Sequence, residues 1–193
     1  MGSLFENLYD ILFQPAIGMR NIAEGKNVGQ AIVVFLLSIL IPIWALSFGL
    51  KGTGMSTMIN VIIVLKILGS IVMWIMGTAI WHLIAELWGG QGTAVGLFTA
   101  LGFAHTPRIF IVPLWALIAV MPASSKTLLL TIAVLVIMLW SLYLDVVAIK
   151  EVHQLSGAKA VLVIITPLLA VGILGIIGFT LIGTSLIHMP IWL

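Results

Sequence analysis

The sequence predicts an all-α membrane protein, a polytopic bundle of five transmembrane helices preceded by a short amphipathic interfacial helix. Hydrophobic residues make up 62% of the 193 positions, charged residues only 7%, and the mean hydropathy is +1.31. A soluble domain needs about a quarter of its residues charged, so lipid must surround most of this chain. The net charge of +2 is too small and dispersed to indicate a nucleic-acid partner. The absence of cysteine excludes disulfides and thiolate metal sites.

The first 26 residues form the most polar stretch. Leu4, Leu8, Ile11 and Leu12 recur at helical spacing before Pro15 interrupts the pattern. This predicts a short helix that either lies in the membrane interface or packs on the end of the bundle. We therefore treat residues 1–26 as an amphipathic N-terminal segment and residues 27–193 as the five-span domain.

Five apolar stretches are each long enough to cross a bilayer, which takes about 20 residues per helix. They cover about residues 28–50, 58–88, 93–121, 127–149 and 160–187. Pro42 predicts a break in the first span, and Pro107 and Pro113 predict that the third is not straight. Small residues predict close helix packing, within one chain or between copies. They are Gly92, Gly96 and Ala100 in the third span, and Gly172, Gly175 and Gly178 in the fifth.

Basic residues predict how the chain is oriented. Five spans put the two termini on opposite sides. Arg20, Lys26, Lys150 and Lys159 fall on the N-terminal side, whereas Lys51 and Lys126 fall on the other. The positive-inside rule then predicts a multi-pass protein of the cell membrane with a cytoplasmic N-terminus and an external C-terminus.

Several segments resemble a known family when they are read in order. Trp81–Gly92 ends a span at a glycine turn, and Leu101–Pro107, Trp140–Tyr143 and Glu151–Ser156 follow it. Phe13-Gln14-Pro15 and Pro42 also fit this arrangement. The order resembles the prokaryotic branch of the Yip family, the Ypt/Rab-interacting proteins with a five-span Yip domain. The resemblance covers nearly the whole chain and implies five spans with a cytoplasmic N-terminus.

The resemblance implies less about partners. Eukaryotic members act in traffic between endoplasmic reticulum and Golgi, and they associate with prenylated Rab GTPases through a sizeable cytosolic N-terminal region. This chain has only about 26 residues before its first span, so we do not expect a Rab-type GTPase partner. The expected partners are membrane lipids, with a second copy of the chain or other membrane proteins left open.

Ionisable residues inside a bilayer are costly and mark candidate sites. His82 and Glu86 share one helix face, and Asp145 is expected at a similar depth. Together they form a candidate proton or divalent-cation site. Hydrogen bonding without a metal is the favoured interpretation, because two carboxylates and one imidazole are a thin ligand set for zinc. His153 and His188 lie at span ends and are expected to be solvated.

A second candidate cluster lies deeper, at Lys66, His105 and Arg108. Pro107 removes a helical hydrogen bond there and opens the backbone, as in the broken helices of transporters. This pattern would suit an anion or a lipid headgroup. The alternative is a kinked packing helix whose Arg108 bonds to carbonyls of a neighbour.

No Ser, His and Asp order resembles a catalytic triad, and no glycine loop carries a phosphate-binding lysine. We therefore expect neither an enzyme nor a cofactor. The first hypothesis is a non-catalytic, membrane-organising protein that binds lipids or other proteins. The alternative is a small transporter or channel for an ion or a lipid, using the broken third span and the intramembrane charges.

Overall fold

The computed structural model describes residues 3–49 and 56–187, and within these ranges the chain consists of helices joined by short turns, without strands. The helices are α1 (Leu4–Phe13), α2 (Pro15–Gly25), α3 (Val28–Gly49), α4 (Ser56–Leu87), α5 (Ala94–Ala104), a 3₁₀ turn (Thr106–Phe110), α6 (Ile111–Ala119), α7 (Ala123–His153) and α8 (Gly157–Ile187). The predicted solvation of His188 concerns a residue outside the described ranges.

The predicted five spans are confirmed. Helices α3, α4, α7 and α8 are each long and apolar enough to cross a membrane, and α5, the 3₁₀ turn and α6 together form the fifth such unit. That composite unit is third in chain order. In its apolar 18-residue window, 61% of the residues are buried inside the chain, against 11% in the corresponding window of α4 and 17% in that of α8. The third span is therefore the centre of the bundle, and α4 and α8 turn most of their surface to the surroundings.

Missing side chains let α5 approach its neighbours closely. A Cβ atom on Gly102 would lie 2.8 Å from Cζ2 of Trp74 and 3.0 Å from Cβ of Ala31. A Cβ atom on Gly96 would lie 3.3 Å from the carbonyl oxygen of Ala23. Glycine at these positions brings the backbone of α5 against α2, α3 and α4 at once, which is how small residues support helix packing in membranes.

Three aromatic rings join the first three spans beside this contact. The Trp74 ring stacks between Phe35 and Phe98, with centroid separations of 4.2 Å and 3.9 Å. Offset stacking of this kind adds about 0.5–1.5 kcal/mol per pair beyond burial. The stack therefore fixes α4, an otherwise exposed helix, to the buried centre.

The glycines of α8 behave differently from those of α5. A Cβ atom on Gly172, Gly175 or Gly178 would meet nothing within 4 Å. These three residues therefore make no close packing within the described part of the chain, and the predicted seam on the fifth span has no partner helix there.

The predicted break at Pro42 is wrong, because α3 continues through that residue to Gly49. Pro42 has no N–H to donate to the Ser38 carbonyl, so the helix loses one hydrogen bond. Ile39 and Ile43 on either side are buried. Burial of these two side chains stabilises the helical conformation despite the missing hydrogen bond.

The N-terminal segment forms two helices that meet the bundle in different ways. Ser3 and Glu6 cap α1 reciprocally, and Pro15 occupies the first turn of α2, where its missing N–H costs nothing. Met19 and Ile22 of α2 are fully buried against α5 and α7. We call the end of the bundle that carries α1 and α2 the N-terminal end.

Helix α1 turns an aromatic stripe away from that packing. Phe5, Tyr9 and Phe13 recur every four residues and are 81%, 58% and 68% exposed. Aromatic side chains are enriched where a protein meets the bilayer interface. Helix α2 therefore packs on the end of the bundle, whereas α1 presents an aromatic face outward.

Replacing Gly102 with alanine should destabilise the bundle by about 1–3 kcal/mol, because the new methyl group overlaps Trp74 and Ala31. Thermal unfolding in detergent would measure the change. Gly172→Ala is the matched control, since its methyl group meets nothing within 4 Å, and it should leave the unfolding temperature unchanged or raise it. Equal losses in the two variants would contradict the described contact of α5.

Candidate functional site

His153 is the central polar residue of the N-terminal end. It is the last residue of α7 and is fully buried, so its predicted solvation is wrong. The Gly92 N–H donates to His153 Nδ1 over 3.2 Å, and the Gln91 N–H donates to the His153 carbonyl over 3.1 Å. A Cβ atom on Gly90 would lie 2.9 Å from His153 Cβ. The glycine turn after α4 thus folds directly over the histidine, and only glycine leaves it room.

The imidazole of His153 also faces a second histidine. Because Nδ1 accepts from Gly92, the proton of a neutral ring sits on Nε2, and this atom lies 3.4 Å from Nδ1 of His82. His82 Nε2 lies 3.4 Å from Oε1 of Glu86. The predicted pair of His82 and Glu86 therefore extends through His153 to the glycine turn. Across residues 3–49 and 56–187, no group of three His, Asp or Glu side chains could hold a metal ion.

A buried carboxylate ties α2 to the same end of α7. Glu151 is almost fully buried, accepts from Arg20 Nη2 at 2.8 Å and also accepts from Lys150 Nζ at 2.8 Å. Lys159 donates from Nζ to the Trp88 carbonyl at 3.0 Å, where α4 has ended. Three of the four basic residues predicted to lie on the N-terminal side thus have structural partners at this end. The sequence pattern indicated their charge but not these contacts.

The predicted opening of the third span at Pro107 is confirmed, because α5 ends at Ala104 and a 3₁₀ turn follows. Pro107 cannot donate to the Phe103 carbonyl, and the Thr106 hydroxyl donates to that oxygen instead, over 2.6 Å. The imidazole of His105 donates from Nδ1 to the Leu101 carbonyl over 2.7 Å. The side chains of His105 and Thr106 therefore donate hydrogen bonds to two carbonyls that lack the usual donor from the residue four positions later. His105 has a structural role there, with its ring edge against Phe35.

A cleft opens beside this break, between α3, α4, the 3₁₀ turn and α7. Lys66, Arg108 and Asp145 all line it, together with Ser38, Ser70 and Ser141. Its volume is about 400 Å³, and an adjoining pocket of about 450 Å³ toward Trp81 shares Lys66, Ser70, Arg108 and Asp145 with it. Lys66 and Arg108 are exposed at its mouth.

The position of Asp145 corrects the predicted grouping. Asp145 shares the cleft with Arg108 and Lys66, and in the described part of the chain no hydrogen bond or salt bridge joins it to His82 or Glu86. It precedes His153 by eight residues, about 12 Å along α7. Around the pocket toward Trp81 the structure thus brings together the predicted Lys66, His105 and Arg108, with Asp145 beside them. It groups His82 and Glu86 separately with His153.

Comparison with known proteins agrees with this architecture. The family model of the Yip1 domain matches residues 9–179, which is most of the chain. The chain belongs to the Yip1-domain family. No curated protein and no solved structure matches it.

The segments that resemble the Yip family lie at two irregular places in the fold. In this Yip1-domain chain, the glycine turn of Trp81–Gly92 and the His153 of Glu151–Ser156 contact each other at the N-terminal end. Leu101–Pro107 contains the break of the third span and both side chains that complete it. The pattern thus marks two places where the five-span bundle departs from plain helix packing.

His153→Ala should release the turn between α4 and α5, because the partly buried Gly92 N–H loses its acceptor at a cost of about 1 kcal/mol. Hydrogen exchange at Gly92 would measure the loss of protection in detergent. His82→Ala is the control, since it removes the neighbouring imidazole but keeps the acceptor of Gly92. Faster exchange at Gly92 in both variants alike would contradict the described role of His153.

Proposed function

We propose that this Yip1-domain chain is a non-catalytic membrane protein that organises the lipid around it by binding lipid phosphate groups at the cleft beside the broken third span. The observation that carries the proposal is the charge of that cleft. Two cations, Lys66 and Arg108, meet one carboxylate, Asp145, and no salt bridge within 4.0 Å joins either cation to it in the described ranges. The site has an excess of one positive charge at a depth where charge is costly.

Charge of this kind needs a counterion from outside the chain. An uncompensated cation within a bilayer is expensive, and the phosphate of a phospholipid is the anion that a membrane supplies at high concentration. Arg108 and Lys66 are both suited to phosphate, Arg as a planar fork and Lys as a point charge. Their exposure at the mouth of the cleft leaves them accessible from the lipid side.

The orientation belongs to the same proposal. Arg20, Lys26, Lys150 and Lys159 all lie at the N-terminal end, where Phe5, Tyr9 and Phe13 also face outward. Basic and aromatic residues together favour the cytoplasmic interface of a cell membrane. We therefore assign the N-terminal end to the cytoplasm and the C-terminus to the outside.

The alternative of an ion channel has less support. Toward the opposite end of the bundle, a pocket of about 730 Å³ continues from the cleft, but its lining is apolar except for Lys126 and Thr131. An ion passing there would lose its hydration against hydrocarbon. An amphiphile, whose tails remain in the bilayer, suits such a wall better.

The double variant Lys66→Gln, Arg108→Gln should lose most of the acidic phospholipid that copurifies with the wild-type protein in mild detergent. Each charge-assisted hydrogen bond contributes about 1.5–3 kcal/mol, so we expect retention to fall at least about tenfold. Mass spectrometry of the bound lipid measures it.

Lys26→Gln is the matched control, because it removes one exposed lysine at the N-terminal end and leaves the cleft intact. It should retain lipid like the wild type. An equal loss in Lys26→Gln, or full retention in the double variant, would contradict binding at the cleft.

A further inference from the structure

Three pockets follow one another along one side of the bundle. The pocket toward Trp81 shares four residues with the cleft, and the cleft shares Trp115 and Val134 with the pocket toward Lys126. We call this continuous series the furrow. Trp81 adjoins His82 at the N-terminal end, and Lys126 is the fourth residue of α7 at the opposite end.

The furrow is about as long as a bilayer is thick. Lys126 and Asp145 alone are separated by nineteen residues of α7, about 28 Å of helix rise. Leu65 and Trp81 on α4 add a partly overlapping stretch of about 24 Å on the same basis. Since the hydrocarbon core measures about 30 Å, the furrow reaches from one interface to the other.

Two buried hydrogen-bond donors without partners lie on its walls. In the described part of the chain, the buried side-chain polar atoms that lack a partner are the Ser141 hydroxyl and the Trp74 indole nitrogen. Ser141 lines the cleft and Trp74 lines the pocket toward Trp81. Such atoms are rare in native proteins, and each one calls for an explanation.

The behaviour of other hydroxyls makes Ser141 informative. Thr78, Thr131 and Thr166 each donate to the carbonyl four residues earlier in their own helix. Ser141 lies in the middle of α7 and makes no such bond. Its hydroxyl, buried in the wall of the cleft, has no acceptor in its own helix.

The net charge of the cleft indicates which headgroup it binds. Lys66, Arg108 and Asp145 sum to one positive charge, and a phosphodiester carries one negative charge, so the occupied cleft is neutral. Trp74 and Ser141 add two neutral donors that are buried in the furrow walls and have no partner in the described residues. A glycerophospholipid with net charge −1 satisfies these groups and keeps its tails in the surrounding bilayer.

We propose that the furrow is a path along which the headgroup of a phospholipid with net charge −1 crosses the bilayer, with Lys66, Arg108 and Ser141 holding its phosphate midway. The inference rests on the proposed lipid binding and adds movement between the leaflets. No covalent step and no energy source are involved, so the lipid moves down its own gradient.

The test uses the full chain in phosphatidylcholine vesicles that contain a trace of fluorescent phosphatidylglycerol. Dithionite added outside bleaches the outer leaflet at once and the inner leaflet only as lipid crosses. With the wild-type protein, the bleached fraction should rise well above the fraction of lipid in the outer leaflet. Ser141→Ala should slow the second phase about tenfold, as expected for one hydrogen bond to a charged group.

A matched pair of glycine variants tests the route. Gly77 lines the furrow, Gly172 lies on α8 away from it, and a Cβ atom on either meets nothing within 4 Å. Gly77→Leu should block crossing, whereas Gly172→Leu should leave it unchanged. Ser141→Ala, which only removes an oxygen, covers the case in which Gly77→Leu folds poorly.

Several results would overturn the proposal. One is bleaching by the wild type no faster than in protein-free vesicles. Another is equal slowing by both glycine variants. A third is inorganic phosphate entering the same vesicles as fast as the fluorescent lipid crosses. Equal rates for fluorescent phosphatidylcholine would overturn the assignment of a net charge of −1. A wild type that retains acidic phospholipid in detergent but moves none would overturn the path and leave the proposed binding intact.

Discussion

The carbonyl groups at the break of the third span are the constraint around which this bundle is organised. In hydrocarbon an unpaired carbonyl costs several kcal/mol, so irregular backbone survives there only with partners supplied by the protein. His105 and Thr106 supply two of them from within the break, to Leu101 and Phe103. The break is thus self-contained. It needs no ligand to exist, and the cleft beside it is a consequence rather than a cause.

Packing explains why the break lies in the most buried span. Helix α5 is clasped by α2, α3, α4 and α7, and Gly96 and Gly102 permit the approach. Because the backbone turns after Ala104, Arg108 lies at the mouth of the cleft rather than in the centre of the bundle. Lys66 of α4 lines the same cleft. The charged residues therefore lie where the helices around the break leave space, and the break determines which side of the bundle carries them.

Hydropathy and proline position were enough to predict the five spans, the opening at Pro107 and the presence of cations beside it. They were not enough for groupings that depend on how helices rotate and align in depth. Asp145 lies with Arg108 rather than His82 because it precedes His153 by eight residues, which separates the two levels along α7. His153 was assigned to solvent because a histidine at a span end usually is. Its burial follows from the glycine turn that covers it, a tertiary contact that no helical period encodes. Pro42 does not break α3, where Ile39 before it and Ile43 after it are both buried.

The central claim is that the excess positive charge of the cleft is neutralised by lipid phosphate, and the sequence makes a direct measurement practical. The chain contains two arginines, Arg20 and Arg108, and Arg20 already pairs with Glu151. Solid-state NMR of arginine-labelled protein in phosphatidylglycerol bilayers can detect dipolar contact between each guanidinium and phosphorus, with Arg20→Lys assigning the signals. We expect contact at Arg108 in both proteins. A guanidinium of Arg108 without phosphorus contact would contradict the account.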